Sequence, residues 1–146
     1  MNKNIIYTIV YFLILLAPIG MCEMDGLYPT HPAQPPPYMF GLIGGSLYMM
    51  MTSSFYYLLQ AKNNKFKNFA ILFSIINLIM NKYWVVLWCD KKPKDAFILF
   101  IFYLMVIILN MTLAYSVSPI SGILLGPLLI WGIIAIQFNK WTVAQK

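Results

Sequence analysis

Two groups of side chains in this 146-residue sequence have the types that can do chemistry. The first is Asn77, Asn81, Trp84 and Trp88, which follow one another at steps of four, three and four. On a helix they share one narrow arc, so two amides and two indoles face the same way. Such a face offers hydrogen bonds and flat apolar surface, with no acid, base or nucleophile. The second group is Cys22, Glu23, Asp25 and His31, in a stretch rich in proline. Those types suit a metal, but no ligand spacing is recognisable, and solvated loop residues are the expectation. His31 is the single histidine, the four carboxylates fall near expected helix ends, and no serine has a base at a readable spacing. No glycine-rich phosphate loop follows a strand. No catalytic residue and no metal site are assigned.

The elements that must position the amide and indole face belong to a membrane protein. The chain is 61% hydrophobic and only 10% charged, with a mean hydropathy of +0.75. A soluble domain of this length needs far more charge to keep its surface wet. Apolar runs near 20 residues mark helices that cross the bilayer, at about 1.5 Å per residue. The net charge of +6 comes with lysines in short breaks between those runs. That is where helix-end anchors sit, so no nucleic-acid partner is expected.

Taken in order, the chain reads as an all-α membrane protein with five transmembrane helices in a single domain, 1–146. The spans expected are 5–20, 38–59, 69–89, 96–115 and 120–138, with a polar, proline-rich loop over 21–37. The run from Ile5 to Gly20 fits either a signal peptide or a first helix. The residues before Cys22 match a cleavage site poorly, which favours a retained helix. Ser116 to Pro119 is so short a turn that the fifth helix must lie antiparallel beside the fourth. One membrane side collects Lys3, Lys62, Lys65 and Lys67, the other Lys91, Lys92, Lys94, Lys140 and Lys146, so the lysine count sets no orientation.

Several further residues stand out. Pro35, Pro36 and Pro37 cannot sit inside a helix but can precede one. Phe40, Gly44 and Tyr48 then recur along one face of the second helix, beside a Gly41/Gly45 stripe that allows another helix close approach. Asn77 and Asn81 read equally as interhelical glue or as ligand-facing groups. Lys82 lies off their face; snorkelling to the headgroups is the favoured account, against pairing with an anionic ligand, Asp90 or Asp95. Ser118, Gly122 and Gly126 form a small-residue packing stripe. Pro127 should kink the fifth helix, with Trp131 one turn beyond. Cys22 and Cys89 lack a C-x-x-C partner; both lie at expected helix ends, where a bridge between them is conceivable, but two free thiols are the expectation.

Three patches of this chain resemble the TspO/MBR family of translocator and tryptophan-rich sensory proteins. The second-helix pattern, close to P-P-x-W-V-F-G/P-x-x-W-T-x-L-Y, is met by Pro35, Pro36, Phe40, Gly41, Leu47 and Tyr48. The third-helix pattern Q-L-x-x-N-x-x-W is met by Leu78, Asn81 and Trp84, with Asn77 in place of Gln. The fifth-helix pattern is met by Gly122, Leu124, Pro127, Trp131 and Asn139. Tyr38 and Gly44 stand where the family pattern has tryptophans, and Leu128 where it has tyrosine.

The resemblance implies a five-helix bundle of TspO/MBR type that binds tetrapyrroles, such as protoporphyrin IX or haem, or similar planar hydrophobic ligands. Its role would be transport, sensing or regulation rather than turnover, with no cofactor. The pocket walls it implies are Tyr38, Phe40, Gly44, Tyr48, Asn81, Trp84, Pro127 and Trp131, capped by the 21–37 loop. Porphyrin-degrading chemistry is not expected, because the indole it relies on is replaced by Gly44. Family members are often homodimers, which the glycine stripes would permit. The alternative is a structural or regulatory membrane protein that keeps the fold without the ligand.

Overall fold

Three helices of this chain begin at prolines. The computed structural model describes residues 2–17, 32–33 and 35–145, apart from the side chains of Pro37 and Phe40. Its helices are α1 (Lys3–Leu16), α2 (Pro37–Gln60), α3 (Lys67–Cys89), α4 (Pro93–Val117), α5 (Pro119–Leu124) and α6 (Gly126–Ala144). Pro37, Pro93 and Pro119 open α2, α4 and α5, where a missing N–H costs nothing and a fixed φ is already helical. Asn2 caps α1, its side chain accepting from the Asn4 backbone N–H at 3.0 Å.

α5 and α6 are two parts of one span, Pro119–Ala144. The bend comes at Leu125, whose N–H donates to the Gly122 carbonyl at 3.1 Å, slightly ahead of the position expected at Pro127. Proline cannot donate to residue 123, and the chain tightens by one short turn before it. With that span counted once, the described residues form five helical segments packed as an all-helical bundle. α3, α4 and Pro119–Ala144 are long and apolar enough to cross a membrane, and the protein is an integral, multi-pass membrane protein. α2, with 24 residues, spans about 36 Å but is less hydropathic, because glycine, serine and tyrosine interrupt it. α1 has 14 residues, about 21 Å of helix, short of a hydrocarbon core of about 30 Å. It ends at Leu16 rather than running to residue 20; residues 18–20 lie outside the described part of the chain, as does most of the expected capping loop.

α4 is the central helix, packed along α3 on one side and along α5 and α6 on the other; α1 leans on α2, and α2 on α5. Tyr11 of α1 stacks on Phe55 of α2 with ring centroids 4.4 Å apart. The outward faces carry Leu13, Leu42, Leu72, Phe102 and Ile130, all exposed, as lipid-facing surface requires. Polar groups go inward instead. Ser54 of α2 and Ser121 of α5 each donate to the other's backbone carbonyl, at 2.9 and 2.8 Å, and so clip the two helices at close range.

The turns are tightly tied. Lys67 donates to the carbonyls of Leu59 and Ala61 at 3.2 and 2.6 Å, closing the C-terminal end of α2 with a positive charge. Lys91 holds φ at 59° in the left-handed region, and the next N–H, of Lys92, reaches back to the Leu87 carbonyl. This ends α3 and lets Pro93 start α4 at once. Cys89 closes α3 and is disulfide-bonded, so the expectation of free thiols is corrected. The other cysteine of the chain is Cys22, which lies outside the described residues. At the α4–α5 turn, a Cβ on Gly122 would stand 2.6 to 2.8 Å from Tyr115 backbone and Cβ atoms.

Two outcomes follow from this packing. Gly122→Ala should lower stability by about 1–3 kcal/mol, because backbone must move, whereas Gly45→Ala, which meets nothing within 4 Å, should be neutral or gain up to about 1 kcal/mol of helix propensity. Thermal melting of both variants in one detergent checks the contrast. Cys89 should resist maleimide in the denatured, unreduced protein and react fully after reduction, as read by intact mass.

Candidate functional site

The amide and indole face of α3 lies inside the bundle, where it meets three other helices. Tyr48 of α2 donates its hydroxyl to Asn81 Oδ1 at 3.1 Å. Asn81 Nδ2 donates in turn to the Tyr103 hydroxyl of α4 at 3.3 Å. One amide therefore ties α2, α3 and α4 together. It uses two of its four hydrogen-bonding positions, keeping one N–H and one lone pair.

One turn further along α3, Trp84 stacks on Trp88 (centroids 5.3 Å) and meets Phe100 edge-on (5.6 Å). Its indole N–H donates to Asn139 Oδ1 at 3.1 Å, and Asn139 Nδ2 donates to the Pro93 carbonyl at 3.2 Å. Asn139 is 1% exposed; it joins α3, α4 and α6 deep in the protein. Two turns the other way along α3 from Asn81, Ser74 Oγ donates to Asn110 Oδ1 at 3.1 Å. Between these two levels sits Asn77, wholly buried, with neither amide atom paired, and Asn110 Nδ2 is likewise unpaired.

Lys82 does not snorkel to water. It is 8% exposed, and its ammonium donates to the Ala17 carbonyl at the end of α1, at 3.0 Å. The same nitrogen lies 5.4 Å from the centroid of the Tyr48 ring, within cation–π range.

The expected wall residues occupy several places. Tyr48, Asn81 and Trp84 belong to the interior network just described. Pro127 and Trp131 line an apolar cleft of about 380 Å³ between α2 and α6, with Leu42, Ile43, Ser46, Leu47 and Met50 opposite. Gly44 sits about 100° round α2 from Ile43, half-buried, and a Cβ there would meet nothing within 4 Å. Tyr38, in the first turn of α2, is 70% exposed. The side chain of Phe40 and the loop group Cys22, Glu23, Asp25 and His31 lie outside the described residues, and no metal-binding cluster occurs among the described ones.

Tyr103 and Asn110 are site residues that sequence reading passed over. Their signal was present: Phe100, Tyr103, Ile107, Asn110 and Ala114 recur at steps of three and four, and all are buried. In the long apolar run of α4 that stripe does not stand out.

The network makes opposite predictions for two asparagines. Asn139→Leu strands the buried Trp84 indole N–H, and should cost about 2 kcal/mol with a changed Trp84 emission. Asn77→Leu removes two unpaired buried atoms at similar volume, and should leave stability unchanged or raise it by about 1 kcal/mol. Chemical denaturation in detergent, followed by fluorescence, separates them.

No curated protein matches the chain. A family model does: that of the TspO/MBR family, over residues 28–142. The matched stretch includes α2 to α6, apart from the last residues of α6, and with it Tyr48, Asn81, Trp84, Pro127, Trp131 and Asn139. Covering well over half of an all-helical membrane bundle, that match identifies the chain as a member of the TspO/MBR family.

Proposed function

We propose that this protein binds a tetrapyrrole, or a similar planar hydrophobic ligand, inside its helix bundle, and serves in transport, sensing or regulation rather than turnover. The observation that carries the reading is the Tyr48–Asn81–Tyr103 chain beside Trp84, Trp88 and Phe100. Flat aromatic surface with a few fixed polar groups is what a planar apolar ligand requires. Asn81 keeps hydrogen-bonding capacity after joining three helices, so it can orient a ligand without giving up its structural bonds. Gly44 leaves open space on the α2 wall, where the family pattern carries an indole. That favours a roomier binding site and disfavours chemistry that needs the indole. Protoporphyrin IX or haem would be the ligand, not a resident cofactor.

A second reading has its own support. Trp84 spends its one N–H on Asn139, and Trp84 and Trp88 stack on each other. Those contacts suit a bundle that keeps the family fold as a structural or regulatory membrane protein without a ligand.

Titrating detergent-purified protein with protoporphyrin IX, followed by tryptophan quenching, decides between the readings. Saturable quenching in wild type, weakened about tenfold in Asn81→Ala and also weakened in Trp131→Phe, supports the ligand reading; a lost hydrogen bond plus lost contact area is of that size. Quenching that is absent, or equal in all three proteins, favours the fold without a ligand.

A further inference from the structure

We infer that the Lys82 ammonium is an anion-receiving point of the bundle, and that the ligand is therefore an apolar body carrying an acidic group. This rests on the binding reading above and narrows it to anionic ligands.

Lys82 sits seven residues before the end of α3, about 10 Å along the helix axis. A lysine at that depth usually extends along the helix to reach headgroups and water. This one is buried, with its nitrogen held between the Ala17 carbonyl at 3.0 Å and the face of the Tyr48 ring. An ammonium has three N–H groups. One goes to Ala17, one side lies against the ring, and donor capacity remains. Among the described residues no carboxylate pairs with it. A buried cation without a counter-charge is costly, and inside membranes such residues mark ligand or ion sites.

A role confined to capping α1 explains the bond to Ala17 but not the choice of a full charge beside an aromatic ring. The neighbours explain more. Tyr48, whose ring lies against Lys82, donates its hydroxyl to Asn81, the residue preceding Lys82 in α3. The cation and the polar chain thus share one part of the bundle, in the C-terminal half of α3 and the middle of α2. A ligand lying with its flat body on the aromatic groups and its acidic edge toward Lys82 satisfies both. The recognised chemistry is a carboxylate or comparable anion on a membrane-dissolved apolar molecule, whether a free ligand or the headgroup of an acidic lipid.

The test compares protoporphyrin IX with its dimethyl ester, in wild type, Lys82→Met and Lys82→Arg, reconstituted in phosphatidylcholine nanodiscs. The ester keeps the ring and removes the charge. Wild type should bind the acid about tenfold tighter than the ester, the span of a charge-assisted hydrogen bond. Lys82→Met should erase that ratio while leaving the ester Kd unchanged, and Lys82→Arg should keep it. Comparing ratios between variants cancels the different membrane partitioning of the two compounds. Equal binding of acid and ester by wild type overturns the inference and leaves the pocket reading standing; it is also the result expected if Glu23 or Asp25 neutralises the lysine. Loss of both compounds in Lys82→Met overturns it too, because a purely structural cap does that. Failure of wild type to bind either compound overturns the pocket reading and this one together. Repeating the series with phosphatidylglycerol in the discs identifies the source: a preserved acid preference supports the free ligand, and a collapsed one assigns the site to acidic lipid and overturns the free-ligand assignment.

Discussion

Asn81 is where three helices meet, and the bilayer makes that meeting obligatory. With no water in the hydrocarbon, a buried amide must find partners within the protein or carry its desolvation cost unpaid. Tyr48 and Tyr103 supply them from α2 and α4, which fixes how those helices are rotated about their axes. The register follows as well. Ser74 pairs with Asn110 seven residues before Asn81 on α3 and seven after Tyr103 on α4. Two hydrogen bonds seven residues apart, on helices running in opposite directions, leave the pair no freedom to slide. Ala70 and Ala114, each wholly buried, lie one turn beyond Ser74 and Asn110 in the same two directions. Small residues there let the two backbones stay close where no polar bond holds them.

Much of this was legible in the sequence because membranes make patterns severe. Apolar runs, lysine-bearing breaks and prolines at helix starts define the bundle with little ambiguity, and the family patches gave its order. The spacing of Asn77, Asn81, Trp84 and Trp88 marked the inner face of α3. Their partners were not legible. Tyr103 and Asn110 lie in an almost uniformly apolar helix, where the sequence carries no contrast between the lipid face and the protein face. Asn139 stood out as a family match, but nothing in its position announced that it holds Trp84 and Pro93 together. Lys82 went the other way from expectation. Depth in the helix predicted a side chain reaching for water, and a carbonyl at the end of the short α1 was nearer. The last carbonyls of a helix have no partner within it and need donors from elsewhere, and Lys82 supplies one at the Ala17 cap of the 14-residue α1.

The break in the last span shows the same logic at the level of backbone. Proline at 127 identifies a kink, yet its place is set by how the chain satisfies the groups that proline cannot. Leu125 bonds to Gly122, and Gly122 must be a glycine because Tyr115 approaches within Cβ distance. The tight α4–α5 turn and the bend at Leu125 thus constrain each other. Ser121, between them, is clipped to Ser54, so the bend is anchored on α2 as well as on α4.

α2 is the helix on which both candidate places depend. Its Tyr48 belongs to the polar chain around Asn81, and its Leu42, Ile43, Ser46, Leu47 and Met50 form one side of the cleft facing Pro127 and Trp131. A helix that only had to cross the bilayer would be built from large apolar residues, as α4 largely is. α2 instead carries Gly41, Gly44, Gly45, Ser46, Thr52, Ser53 and Ser54, and gives up hydropathy for it. Part of that composition serves packing, as Ser54 does. The glycines do not: Gly41, Gly44 and Gly45 face open space, with no neighbour that a Cβ would touch. Glycine inside a helix costs up to about 1 kcal/mol relative to alanine. Close helix packing within this chain does not account for three of them in five residues.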